Sequence, residues 1–280
     1  QGFDMNIVPF SSGCGVELSN QQLADLTDAD LVELRTIFDE HGLVVVRDQQ
    51  FEPEQHLQFA RRFGDIVLNK FFKPVDGYPD IAEVRKEKSQ KTNIGGGWHT
   101  DHSYDDVPAM GSILVARKLP ETGGDTHFAN LSAAYQGLSK GLQTTLESLR
   151  AVHSNTHLYG ENGYYKTTDL ADQLGGMDRV GDAVHPVVIV HPDSGRKVLY
   201  VNPGHTIRFE GWSREESLPL LEYLYAHVDQ PQYTCQFDWK PGSVVLWDNR
   251  STWHYAQNDY QGQSRLMHRI TLAGAALSGV

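Results

Sequence analysis

The period of apolar positions along the chain is helical at first and strand-like afterwards. Between Thr27 and His41, Leu31, Leu34, Ile37 and Phe38 fall on one helical face, Thr27 and Asp30 form a capping pattern, and Gly42 stands just past the end. This spacing predicts a surface helix. GLVVVRD at 42–48 is a short β-branched run bounded by glycine and aspartate, which predicts a buried strand. Pro53 at a first helical position, then Leu57, Ala60 and Phe63 with Gly64 as stop, predicts a second helix on the same core. Residues 69–97 mix Pro74, Gly77, Pro79, charge and three glycines, and read as loop with one short strand at 80–86.

From Gly111 onward the pattern is that of strands: SILVARKL, a turn at PETGGD, THFAN, AVHPVVIVHP, a turn at DSGR, KVLYVNP, QYTCQFDW, SVVLWDN and RLMHRITLAG. Two helices interrupt it, one within 132–149 and one within 213–228, where Pro219 predicts a late start or a kink. The Gly-, Asp- and Tyr-rich stretch 160–182 is long for a plain connection and reads as a lid or binding segment. Together these elements predict a mostly β fold with flanking helices, a double-stranded β-helix or jelly-roll barrel of cupin-like form that encloses its ligand.

A chain of 280 residues with this patterning suits a single domain, 5–280. Gln1 to Asp4 precede Met5, which reads as the natural start after an engineered extension. The net charge of −12, with no cluster of Lys or Arg, argues against nucleic acid or an anionic membrane as partner and for a small molecule. Cys14 and Cys235 are too few for a disulfide framework, and no run is long enough for a membrane span, so a cytoplasmic location is expected.

The stretch GGGWHTDHSYD at 95–105 carries the candidate chemistry. His99 and Asp101 are two apart, so on an extended segment both reach one ion, and His254 in WDNRSTWHYAQ offers a third ligand. Two imidazoles and one carboxylate on one side of a metal form the facial arrangement of non-haem Fe(II) oxygenases, which leaves positions open for a co-substrate and O2. His102 should point to the other face, towards a pocket role, and Asp105 and Asp106 read as a solvated turn. On RLMHRITL, Arg265 and Arg269 share a face, and two guanidinium groups inside a barrel need two anions. The distal carboxylate of 2-oxoglutarate and an acidic substrate head would supply them. His153, His185, His191 and His268 read as core histidines, Trp98, Trp247 and Trp253 as barrel packing, and Gly95 to Gly97 as a lid hinge. A zinc hydrolase or a non-catalytic metal-binding barrel would use the same His/Asp/His set, but would need no paired inward arginines.

The runs WHTD, LPETGGDT, HPVVIVHPDSGRKVLYVN, WDNRSTWHYA and RLMHRITLAG together resemble the taurine dioxygenase family of Fe(II)/2-oxoglutarate-dependent enzymes, which also holds 2,4-dichlorophenoxyacetate and alkylsulfate dioxygenases. The resemblance implies that His99, Asp101 and His254 hold iron, that Thr126 and Arg265 hold 2-oxoglutarate, and that Arg269 binds the acidic group of the substrate. It implies hydroxylation of a small anion with succinate and CO2 as co-products, release of a leaving group such as sulfite, and a homodimer or homotetramer. Where the family receives the amino end of taurine with a histidine and an asparagine, Lys70 and Gly95 stand here, and His205 replaces a pocket phenylalanine. With His102, His157 and Tyr159 the expected pocket is polar, which suits a hydroxylated or sugar-like sulfonate, sulfate or carboxylate better than taurine. Aryloxyalkanoate and alkylsulfate dioxygenases are the neighbouring alternatives.

Overall fold

A computed structural model describes residues 5–69, 71–175 and 180–280. The first helix, Asp28–His41, is capped as its sequence predicts: the Asp30 N–H donates to Thr27 Oγ1 at 3.2 Å and the Thr27 N–H donates back to the Asp30 carboxylate at 2.8 Å. Gly42 ends it with φ 71°, where a side chain would also strike Ser251 Oγ. Pro53–Phe63 forms the second helix.

The strand between them, Leu43–Val46, is buried on both faces, which is why it reads as a continuous apolar run. Val44 and Val46 face the two helices with Leu34, Phe38, Phe59 and Phe63, whereas Leu43 and Val45 face inward with Leu114, Val245, Met267 and Phe128. It sits in a nine-stranded sheet with Val244–Asp248, Gly111–Lys118, Arg265–Leu272 and Tyr78–Lys86 as successive neighbours beyond it. The opposing layer contains Thr234–Phe237, Thr126–Asn130 and Thr252–Ala256, paired in that order, and a separate three-stranded sheet built around Arg150–Ser154. Phe128 and Phe237 from this layer meet the inner face of the large sheet and close the cupin jelly-roll core.

Beside the short strands Ile7–Pro9, Val16–Leu18, Ile66–Val67, Pro74–Val75 and Ser278–Gly279, three longer ones lie outside the sequence expectation: Arg150–Ser154, Thr206–Phe209 and Thr252–Ala256. Each carries polar or charged residues at positions that face a site or a buried network instead of solvent. The helix expected within 132–149 is two, Leu131–Gln136 and Lys140–Glu147, capped by Asn130 and Ser139 and separated by a turn at Gly137. Arg214–Val228 does not start late at Pro219. Ser213 and Glu216 form a capping box, and the burial of Leu221, Leu224 and Val228 outweighs the single N–H that proline lacks. In the described part of the 160–182 stretch a short helical turn, Tyr164–Thr167, follows Thr156–Tyr159 just ahead of it, and Tyr159 and Tyr165 pack with Phe71, Tyr104, Leu170 and Leu174; residues 176–179 of the expected lid lie outside the described residues. No helix among the described residues is long and apolar enough to cross a membrane.

Candidate functional site

His99 and His254 are 155 positions apart in sequence but are backbone partners in an isolated antiparallel bridge, with the His99 N–H donating to the His254 carbonyl at 3.1 Å and the reverse bond at 2.9 Å. Directly opposed residues project their side chains to the same face, and the imidazole centroids lie 4.3 Å apart. The Thr100 hydroxyl donates to the Thr252 carbonyl and fastens the next residue to the same strand. Asp101 follows at the end of the extended stretch, with its carboxylate oxygens 3.3 Å from His99 Nε2 and 3.5 Å from His254 Nε2. One ligand atom from each of the three lies within 4.8 Å of the others.

The protonation pattern suits a cation at their centre. His99 Nδ1 is 2.7 Å from the Gly97 carbonyl, which only accepts, so Nδ1 carries a hydrogen and Nε2 is the ring nitrogen turned to Asp101. Gly204 and Gly95 set the ring in place, since a Cβ on either would come within 2.6 and 2.9 Å of His99 atoms. Burial pushes the His254 imidazole down to about 3 against the opposing pull of the Asp101 carboxylate, so it is neutral and able to coordinate. Burial alone would raise the Asp101 carboxyl, but the Arg269 guanidinium and the two imidazoles hold it well below the usual carboxylate range. Two nitrogens and one ionised oxygen, all on one side, fit a divalent metal with open positions.

Arg265 and Arg269 both point inward from their strand and both are buried. Arg269 donates from Nη2 to Asp101 Oδ2 at 2.7 Å and from Nε to Ser112 Oγ at 3.0 Å. Arg265 donates to the Gly124 carbonyl at 3.2 Å, yet it has no carboxylate partner among the described residues and its Nε is buried without an acceptor. Burial lowers its guanidinium below the ordinary value. Such a group awaits an anion. Thr126 lies beside it in the same cavity, with its hydroxyl accepting from Trp239 Nε1 at 2.9 Å while the Trp239 ring faces the Arg265 guanidinium.

A cavity of about 280 Å³ brings His99, Asp101, His254, Thr126, Arg265 and Arg269 together. Gly95, His102, Tyr159 and His205 also line it, and Lys70 lies outside the described residues. His157 does not line it: the exposed ring hydrogen-bonds the Gly204 carbonyl from outside the cavity, at 2.6 Å. His102 does not turn away from the cavity as an extended segment would require, because φ 65° places it in a left-handed turn with Nδ1 on Asp105. Asp105 is thereby tied to the site instead of standing in a solvated turn.

Several lining or supporting residues were not singled out from the sequence. Tyr104 lies within the quoted 95–105 run and could have been found there; Ser112, Trp239 and Phe71 carry no local signal. A second trio, Asp39, His191 and Asp248, also brings ligand atoms close together, but Arg250 donates to Asp39 at 3.0 Å and to Asp248 at 2.8 and 2.9 Å, so a guanidinium takes the place of an ion.

Residues 6–271 match the family described as taurine catabolism dioxygenase TauD, TfdA family. The chain belongs to that family. It is 38% identical over 274 residues to an alkylsulfatase of Acinetobacter baylyi, a match that covers 95% of this chain and 84% of the relative. It is 33% identical to an alpha-ketoglutarate-dependent sulfate ester dioxygenase of Pseudomonas putida, over 99% of this chain and 92% of that one. Among solved structures, a putative alpha-ketoglutarate-dependent taurine dioxygenase from Burkholderia xenovorans superposes with TM-score 0.84 at 33% identity, covering 99% of this chain and 95% of the other. The chain is an Fe(II)- and 2-oxoglutarate-dependent dioxygenase, and O2 is its second co-substrate.

Proposed function

We propose that this dioxygenase hydroxylates a small organic anion with a sulfate or sulfonate head at the carbon that bears the heteroatom, so that the product collapses and releases sulfate or sulfite. In this reading His99, Asp101 and His254 hold the iron. Thr126 and Arg265 receive the distal carboxylate of 2-oxoglutarate, and Arg269 receives the acidic head of the substrate with the donors left over from Asp101 and Ser112. Gly95, His102, Tyr159 and His205 border the substrate, and Lys70 belongs to the same reading. His157 acts at most by holding Gly204. The bound iron supplies the oxidising chemistry. The protein orients both acids, keeps Asp101 ionised and His254 neutral, and excludes bulk water from the cavity.

The observation that carries the reading is the buried Arg265 guanidinium with no carboxylate partner among the described residues, in one cavity with a two-nitrogen, one-oxygen ligand set. A hydrolase has no 2-oxoglutarate to anchor and would leave one of the two inward guanidinium groups without an anion. The alkylsulfatase and sulfate ester dioxygenase among the relatives support the choice of head group. A single domain over 5–280, a dimer or tetramer, and a cytoplasmic location complete the reading; light scattering and cell fractionation check the last two.

The test is Fe(II)- and O2-dependent formation of succinate in the presence of alkyl sulfates and alkanesulfonates, with sulfate and sulfite assayed in parallel. We expect turnover for the native chain, and losses on the order of a hundredfold or more for His99→Ala and Arg265→Ala. Zinc-supported, anaerobic release of sulfate would overturn the reading in favour of a hydrolase.

A further inference from the structure

Part of the cavity wall is polar but has no part in holding the metal or either acid. His205 is buried there, and its Nδ1 lies 3.2 Å from the Ser154 carbonyl oxygen. A carbonyl oxygen only accepts, so Nδ1 carries the ring hydrogen. The His205 backbone N–H donates to Asn202 Oδ1 at 2.9 Å, and Asn202 Nδ2 donates to Ser103 Oγ at 3.0 Å, so the backbone that carries the ring is held by two further buried side chains. Buried, with no carboxylate hydrogen-bonded to it, the imidazole is neutral. Its Nε2 therefore keeps a lone pair, and that atom makes no hydrogen bond among the described residues. Tyr104, with its ring 4.8 Å from that of His205, and Tyr159 line the same cavity, and neither hydroxyl has a hydrogen-bond partner among the described residues.

An acceptor fixed in this way asks for a donor. We propose that His205 Nε2 accepts a hydrogen bond from a hydroxyl group on the substrate, so that the chain selects hydroxylated organosulfur anions over unsubstituted ones. The inference rests on the anionic-substrate reading above and adds what the far end of the substrate carries. A plain alkyl chain would displace water from Nε2 and give nothing back, which leaves a buried acceptor unpaired. An ammonium group would also donate, but among the described residues no carboxylate hydrogen-bonds His205, Tyr104 or Tyr159, so nothing on this wall would compensate its charge. The tyrosine hydroxyls can both donate and accept, so they suit a second hydroxyl of the same substrate.

The experiment uses matched ligands on the Fe(II)- and 2-oxoglutarate-loaded enzyme. One set is 2,3-dihydroxypropane-1-sulfonate, propane-1-sulfonate and 3-aminopropane-1-sulfonate; the second repeats it with sulfate ester heads. Affinity is read by anaerobic calorimetry and kcat/KM by succinate formation. The dihydroxy member of at least one set should bind on the order of tenfold to a hundredfold more tightly than its unsubstituted partner. His205→Phe, which keeps the ring and removes the acceptor, should erase that preference, and His205→Gln, which restores an acceptor oxygen, should return part of it. Equal or better binding of the unsubstituted chain by the native enzyme, or a preference that survives His205→Phe, overturns the proposal even if turnover is robust. Should no member of either set bind or turn over, the anionic-substrate reading fails and this inference falls with it.

Discussion

At the scale of single residues, the metal-site candidate is governed by how tightly His99 is held. Its Nδ1 is bound to Gly97, its backbone to His254, and its side chain is flanked by two glycines. Gly204 has no positive φ, so replacing it tests crowding alone: a Cβ there would lie 2.6 Å from His99 Cβ. We expect Gly204→Ala to weaken metal binding on the order of tenfold or more, read by calorimetric titration of the metal-free protein with Mn(II). Unchanged affinity would mean that the ring position is set elsewhere. The same proximity accounts for Gly95, whose φ of 70° and approach to His99 Cε1 explain a glycine that the sequence placed in a hinge and at the substrate pocket but not against a metal-ligand candidate.

At the scale of elements, the helices and the major sheet were legible because their burial is one-sided or complete. Thr27, Asp30 and Gly42 mark the ends of the first helix by local hydrogen bonding, and Leu43–Val46 reads as a strand because both of its faces are covered. The arginine strand was legible for a related reason: Arg265, Met267, Arg269 and Thr271 share one face and Ile270 and Leu272 the other, and burial confirms that division. What escaped was polar and non-local. Arg150–Ser154 carries His153, buried and bonded to Ser103, and Thr252–Ala256 owes its pairing to Thr126–Asn130 far away in sequence. Neither strand shows alternation against solvent, because polar side chains face a network or a cavity. The left-handed turn at His102 escaped for the same reason, as Asp105 captures the ring from three residues on. At Pro219 the missing N–H suggested a boundary, and capping at Ser213 with burial along the helix overrode it.

At the scale of the whole molecule, stability is linked to histidines held neutral in the interior. Burial pushes His56 and His205 down to about 3, from an unfolded value of 6.5, and pushes His268 down to about 4. The folded state then binds fewer protons than the unfolded one below pH 6.5. Stability from these groups is full above that pH and is lost as the pH falls from about 6.5 towards about 3. The thermal midpoint of the metal-free protein should accordingly decline steadily on acidification through that window, measured by calorimetry over a pH series. A midpoint that held level or rose would contradict the burial of these rings as neutral groups.

The same interior brings together the two chain segments proposed to hold the metal and the strand proposed to hold the co-substrate, and the account depends on that convergence. Anaerobic titration of 2-oxoglutarate into the protein, with and without Mn(II) as a redox-inert stand-in for Fe(II), tests it most directly when run on the native chain, His99→Ala and Arg265→Ala. The account predicts that 2-oxoglutarate binds the native protein tightly only when metal is present, that His99→Ala loses both ligands, and that Arg265→Ala keeps the metal but binds 2-oxoglutarate at least on the order of tenfold more weakly. Metal-independent binding of 2-oxoglutarate, or full affinity in Arg265→Ala, would contradict it.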